Sequence, residues 1–156
     1  MARYSLSNSQ GTPSSLTTTY KTQWDLTAAT GATTLRRAWL YDIVFGANGT
    51  PADNMVSYVV DRQTSTGTRT SATPAPLDGA DAAALITAGV VTSIEPSETA
   101  ATQLLDVPTN QRATYRWVAA PGGELIVPAT NVAGIGGRAK SPAYTSTVLA
   151  TVHFWE

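Results

Sequence analysis

The sequence predicts an all-β chain: an antiparallel β-sandwich of the jelly-roll kind, with one short helix and an extended N-terminal arm. Three observations predict it. About eight or nine short segments alternate apolar and polar residues, the period-two spacing of a half-buried strand. Turn formers (Gly, Pro, Asn, Asp) separate them roughly every ten residues. Only one stretch, near residue 80, has the composition of a helix.

Residues 1–16 are Ser, Thr, Asn, Gln, Gly and Pro with few apolar residues, among them Tyr4, Leu6 and Leu16. Alone, such a segment does not bury enough surface to offset its ordering entropy. It reads as a flexible arm that orders on assembly, its three large apolar side chains filling pockets on a neighbour. A single β-sandwich domain then occupies 17–156. TTYKTQWDLTAAT, residues 18–30, is a strand ending at Gly31. In TLRRAWLYDIVF, Arg37, Trp39, Tyr41, Ile43 and Phe45 share one face and Ala38, Leu40, Asp42 and Val44 the other. GANGTPADN is a loop. A strand over 55–64 comes next, then a turn at TSTG and a shorter strand.

PLDGADAAALITAG predicts the helix, over 80–88. Asp78 or Asp81 would cap its free N–H groups, and Gly89 would follow its last turn. VVTSIEP and ATQLLDVP are two more extended segments. In NQRATYRWVAAPGGELIVP, residues 110–128, alternation turns Tyr115 and Trp117 to the core and Arg112 and Arg116 outward. Pro121 and Gly122 suit the two central positions of a turn, with ELIVP returning as the partner strand of a hairpin. ATNVAGIGGRAKSP reads as a Gly-rich loop, and AYTSTVLATVHFWE as the last strand.

The composition excludes several functions. The 156 residues include no Cys, so disulfides and thiolate metal sites are ruled out. Charged residues are 13% and the net charge is −1, with Lys and Arg scattered, so no nucleic-acid footprint is present. No apolar run approaches the ~20 residues that would cross a membrane, and no secretory signal opens the chain, so synthesis in a cytoplasm is expected. Groups suited to catalysis are few. The one histidine, His153, lies in an apolar strand. Asp78 and Asp81 suit helix capping, and Glu95 and Glu98 flank Pro96 as in a solvated loop. No serine lies in G-x-S-x-G, and GIGGRAK lacks the Walker A spacing. The four tryptophans, Trp24, Trp39, Trp117 and Trp155, sit on predicted strands, where filling a core or an interface is their default role. No catalytic, cofactor or metal residue is assigned, and the chain is expected not to be an enzyme.

Two runs, LYDIVFGANGTPADNMVSYVVDRQT and NQRATYRWVAAPGGELIVPATNVAGIGGRA, together with the TVHFWE ending, resemble small structural proteins of tailed-bacteriophage virions. The likeness covers most of 35–155, and the class it points to is the capsid decoration, or cement, protein. It implies a small β-sandwich or jelly-roll body bound to the outside of the shell, often as a trimer, with the major capsid protein as partner. It transfers no functional residue. The residues themselves lead to candidate interface positions at Tyr4, Leu6, Leu16, Arg112 and Arg116. The alternative is a tail- or fibre-associated β-sandwich module that binds a host-surface glycan.

Overall fold

The computed structural model describes residues 1–28, 35–50, 52–130, 132–142 and 145–156. The chain is an all-β sandwich. Its strands are β1 (Arg3–Ser7), β2 (Lys21–Thr27), β3 (Ala38–Ala47), β4 (Met55–Gln63), β5 (Thr68–Ala72), β6 (Ala75–Pro76), β7 (Thr87–Ile94), β8 (Glu98–Asn110), β9 (Thr114–Val118), β10 (Leu125–Val127), β11 (Gly134–Lys140) and β12 (Val148–Trp155). One antiparallel sheet, sheet A, runs β10-β3-β12-β1-β6, with β9 also on β3. The other, sheet C, runs β5-β7-β2-β11-β4-β8. Among the described residues, no two strands consecutive in the chain pair with each other. Most connections pass from one sheet to the other, so few contacts are local and folding has to close long loops before pairing is rewarded.

The inner faces meet in one core. Trp24, Leu26, Tyr58, Val60 and Ile135 come from sheet C, and Leu6, Leu40, Ile43, Phe45, Val152 and Phe154 from sheet A. Phe45 stacks on Tyr58 across the gap, with ring centroids 4.6 Å apart. Arg62 of β4 donates to the Ile126 carbonyl of β10 and ties the sheets at one end.

Several expectations are corrected. The arm is not loose: β1 lies between β12 and β6 inside sheet A. Tyr4, Leu6 and Leu16 are buried in the chain's own core, so they are not offered to a neighbour. The period-two spacing of Tyr4 and Leu6 sets them opposite Phe154 and Val152 of β12. Where β1 ends, the Asn8 carboxamide continues the ladder: Nδ2 donates to the Val148 carbonyl at 2.7 Å and Oδ1 accepts from Ala150 N–H at 3.0 Å.

No helix forms over 80–88; the helical element of the described residues is a 3-10 turn, Asn8–Gln10. The Asp78 carboxylate does accept from Ala80 N–H, but it caps a turn and no helix grows from it. Thr87 onward is taken by pairing with β2 and β5, and the Glu156 carboxylate holds the N–H groups of Leu85 and Ile86. These tertiary bonds outweigh a local helix preference of tenths of a kcal/mol per residue.

The Pro-Gly-Gly turn forms as expected: Gly122 has φ of 79°, and Gly123 N–H bonds the Ala120 carbonyl at 2.8 Å. It does not close a hairpin. β9 and β10 both run antiparallel to β3, on Asp42–Gly46 and Leu40–Ala38 respectively, so they are two pieces of one edge strand with the turn looped out between them. The Gly-rich "loop" is β11, a central strand of sheet C. Glycine is required there by close approach: a Cβ on Gly136 would collide with the Gln63 carboxamide, and one on Gly137 with the Trp24 indole. The end of the first predicted strand at Gly31 lies outside the described residues; β2 ends at Thr27.

The single-face assignment of 37–45 also changes. His153 pairs with Asp42, and the next residue, Phe154, pairs with Leu40, so Tyr41 is an extra residue on β3. This bulge shifts the phase. Ala38 and Leu40 point inward before it, and Ile43 and Phe45 after it. Trp39, Tyr41, Asp42 and Val44 are left outside.

Tyr115 and Trp117 pack against the core, and Arg116 faces outward, as alternation requires. Because β9 is an edge strand, Trp117 is only half-buried. Trp117→Ala is therefore expected to cost about 2 kcal/mol, below the ~3–5 kcal/mol of a fully buried tryptophan. Urea unfolding measures this, and a loss as large as that of Trp24→Ala would mean the edge is better covered than described.

Candidate functional site

Two arrangements stand out, one on each sheet. The first is the outer face of sheet A. Its side chains are those that alternation and the Tyr41 bulge turn away from the core. Trp39 and Trp155 are cross-strand partners and stack with centroids 4.1 Å apart and planes 12° from parallel. Beside them Tyr41 lies over His153 at 6.2 Å. Asp42 is the polar centre. Arg116 binds it in bidentate fashion, Nε to Oδ1 at 2.9 Å and Nη2 to Oδ2 at 2.8 Å, and His153 Nδ1 is 3.2 Å from Oδ2. These bonds, Arg116 foremost, hold the Asp42 carboxyl below the usual carboxylate range. Further along, Val118 is 57% exposed and Leu149 45% exposed, and Leu149 lines a shallow concavity of about 280 Å³ with Val44, Gly46, Ala47 and Thr114.

The second arrangement is a polar seam on the outer side of sheet C. One row across the strands reads Gly89, Asp25, Gly136, Asp61. Arg69 covers Gly89 and binds Asp25, and its Nη2 also donates to Thr27 and Thr87. The Gln63 carboxamide covers Gly136. Arg138 binds Asp61 and, through the same Nη2, Glu98. Asp25, Asp61 and Gln63 are at most 2% exposed. Burial pushes the Asp25 carboxyl up to about 6 against the pull of Arg69. Burial pushes Glu98 up to about 7 against the pull of Arg138, with the Asp61 and Glu95 charges adding to the rise. Both folded-state values lie above those of the free side chains, 3.8 and 4.5. The stability they contribute is complete below about pH 4 and is lost as pH rises through about 6 and 7. Asp42 works in the opposite sense, its contribution being lost on acidification below its ordinary range. The melting temperature is expected to peak near pH 4 and to decline toward neutrality. A curve that rises steadily from pH 5 to 8 would contradict these assignments.

The structure brings together few of the residues singled out from the sequence. Tyr4, Leu6 and Leu16 belong to the core. Arg112 pairs with exposed Asp53 at 3.1 Å, and Arg116 with Asp42 on the neighbouring strand. Arg116→Ala should lower the melting temperature by a few degrees without unfolding the chain, because Arg116 is exposed but its partner Asp42 is buried and keeps His153 beside it; a collapse of the monomer would contradict it. Glu95 and Glu98 do not sit in a solvated loop. Glu95 accepts from Thr22 N–H and hydroxyl and from the Thr92 hydroxyl, and Glu98 turns in to Arg138. Sequence reasoning missed the Trp39–Trp155 pair, Asp42 and the seam around Asp61. Strand alternation would have found Asp61, which shares a face with Val59 and Gln63. The bulge hid Asp42 and Trp39.

Among the described residues, no three His, Asp or Glu side chains lie together so as to hold a metal ion, and no helix is long and apolar enough to cross a membrane. The surface concavities described are lined by residues other than Asp61, Glu98 and Arg138. No family model matches this chain, and neither a curated protein nor a solved structure is significantly similar to it.

Proposed function

We propose that this chain is a non-enzymatic virion structural protein that binds the outer surface of a capsid and stabilises the shell. The carrying observation is the outer face of sheet A. It presents exposed Val118 on β9 and exposed Leu149 on β12, the two strands that flank β3, with the row Arg116, Val44 and Thr151 between them. Its buried carboxylate, Asp42, is neutralised internally by Arg116, and His153 Nδ1 lies 3.2 Å from it. A sheet face of low net charge with exposed aliphatic side chains suits association with a flat apolar counterpart, and its core would be depleted of unpaired charge as interface cores are. The two runs with a virion-protein texture account for β3 and β4 and for β9, β10 and β11, so they contribute to this face and to the strands behind it. The major capsid protein is the proposed partner. Repetition on a lattice makes modest affinity per copy sufficient. A closed trimer is the favoured assembly, since identical copies gain most from interfaces that close.

The test is co-sedimentation of the purified protein with capsids that lack it. Wild type should pellet with the shells and raise their thermal tolerance. Leu149→Glu with Val118→Lys should keep the melting temperature within about 2 °C, as surface changes usually do, and lose the pelleting. Arg116→Ala should weaken it. Failure of the wild type to bind overturns the reading; full binding by the double variant overturns the docking face. Sedimentation equilibrium tests the trimer.

A second reading, a tail- or fibre-associated module for a host-surface glycan, rests on the Trp39–Trp155 stack beside Tyr41 and Asp42. Aromatic edges and faces pack on sugar C–H groups, and a carboxylate accepts from sugar hydroxyls. A glycan array with wild type and Trp155→Ala separates the two: glycan binding lost in the variant favours this reading, and capsid binding unaffected by it favours the first.

A further inference from the structure

We infer that Glu98 and Asp61 share one proton, and that this proton latches the bulged segment 98–102 of edge strand β8 onto sheet C, so that the segment opens as the solution turns alkaline. The inference concerns the opposite sheet from the proposed docking face and does not depend on it.

The geometry carries it in three steps. First, both carboxyls bind the same nitrogen, Arg138 Nη2, and each has a second oxygen, Asp61 Oδ1 and Glu98 Oε1, that is buried without a donor. Bound to one nitrogen, the two carboxyl groups are held close to one another. Two ionised carboxylates would leave both oxygens unsatisfied and facing like charge. One proton held between the two carboxyls removes the like-charge contact and supplies the donor they lack. Second, the charge count agrees. Arg138 neutralises one carboxylate, not two. The other groups facing the pair are Glu95, which adds negative charge and is itself 3.5 Å from Lys21 Nζ, and Tyr20, whose ring is covered by Arg138 at 5.0 Å and Lys140 at 4.4 Å. Gln63, buried beside them, is uncharged. Third, little else holds the segment. Gln63 pairs with Glu98 and Asp61 with Gln103, so two steps of β4 face five steps of β8 and the ladder is broken between them. Ala101 adopts φ of 58°, and residues 99–101 are exposed. Among the described residues, β8 is the edge strand of its sheet, with no strand on its far side. Ser97, just before the segment, is fixed to Thr64 and Ser65; within 98–102, among the described residues, the Glu98 side chain is the one that reaches into the sheet.

The rise of Glu98 to about 7 from 4.5 sets the size of the effect. Opening that exposes Glu98 should become roughly 70-fold more favourable between pH 5 and pH 8.5, approaching a limit of about 300-fold. The experiment is two measurements on the full chain. Carbon-13 shifts of the Glu98 side-chain carboxyl should titrate with a midpoint near neutrality. Hydrogen exchange of amides 98–104, corrected for intrinsic rate, should lose protection by tens of fold over that pH range while β2 and β11 amides do not. Glu98→Gln, whose amide donates to Asp61 at every pH, should flatten the dependence. A Glu98 midpoint in the usual carboxylate range overturns the shared proton. Equal pH dependence in Glu98→Gln, or a whole-sheet loss of protection, overturns the latch. Protection restored at pH 8.5 by millimolar calcium or magnesium would show that a cation, not a proton, joins the two oxygens, and overturns the proposal as well.

Discussion

Removing residues 1–7 is expected to unfold the protein, not to free a body from its arm. β1 is an interior strand, with five residues paired to β12 on one side and two to β6 on the other. Deletion strips Tyr4 and Leu6 from the core, where they are 3% and 0% exposed. Burying two such side chains contributes roughly 3–6 kcal/mol by transfer alone, and the void adds to the loss. Deletion also leaves a full edge of β12 without partners and breaks the bond from Tyr4 Oη to the Ala82 carbonyl. The sum is on the order of the ~5–15 kcal/mol that holds a typical domain together. Circular dichroism and a proton–nitrogen correlation spectrum of the truncated chain should show a disordered or aggregated product. The milder change Leu6→Ala should cost about 3 kcal/mol, with cooperative melting retained. A truncated chain that melts like wild type would show that sheet A tolerates the loss and that the segment is an arm after all.

Arg138→Ala is expected to cost about 3–5 kcal/mol at neutral pH, or roughly 10–15 °C in melting temperature for a chain of this size. The guanidinium binds both Asp61 and Glu98, and removing it leaves Asp61 buried with no donor from that side chain. Breaking a buried pair in this way costs more than the pair contributes, because the remaining charge stays out of water. The sign of the pH dependence is a sharper check. Without Arg138 both carboxyls are easier to protonate, so the deficit should shrink as the pH falls from 7 to 5. A deficit that grows on acidification would mean that Arg138 acts through something other than these carboxylates. Tyr20, which the Arg138 guanidinium covers, makes a separate and smaller contribution.

Local residue chemistry was enough for a good part of this fold. Period-two alternation identified most strands, including the inward turn of Tyr115 and Trp117. Pro121-Gly122 specified its turn, since the torsions of those two residues need no outside partner. The same local logic failed wherever a distant segment competed. Residues 80–88 favour helix by composition, but β2, β5 and the Glu156 carboxylate claim them. GIGGRAK has the content of a loop, yet its missing side chains are what let Gln63 and Trp24 lie against the sheet.

The candidate site was less legible than the fold, for the same reason. The sequence by itself determined an all-β chain, without Cys and with little charge, and it set which residues alternate on each strand. Tertiary structure decided which strands pair, and therefore which charges meet. Asp42 reaches Arg116 across 74 residues and His153 across 111. Asp61 reaches Arg138 across 77. One extra residue at Tyr41 turns Trp39 out while Phe45 stays in, a choice made by the register of β3 on β12. No spacing in the chain encodes such meetings, because a side chain's partner is set by strand order and bulges, which form only when the whole sandwich closes.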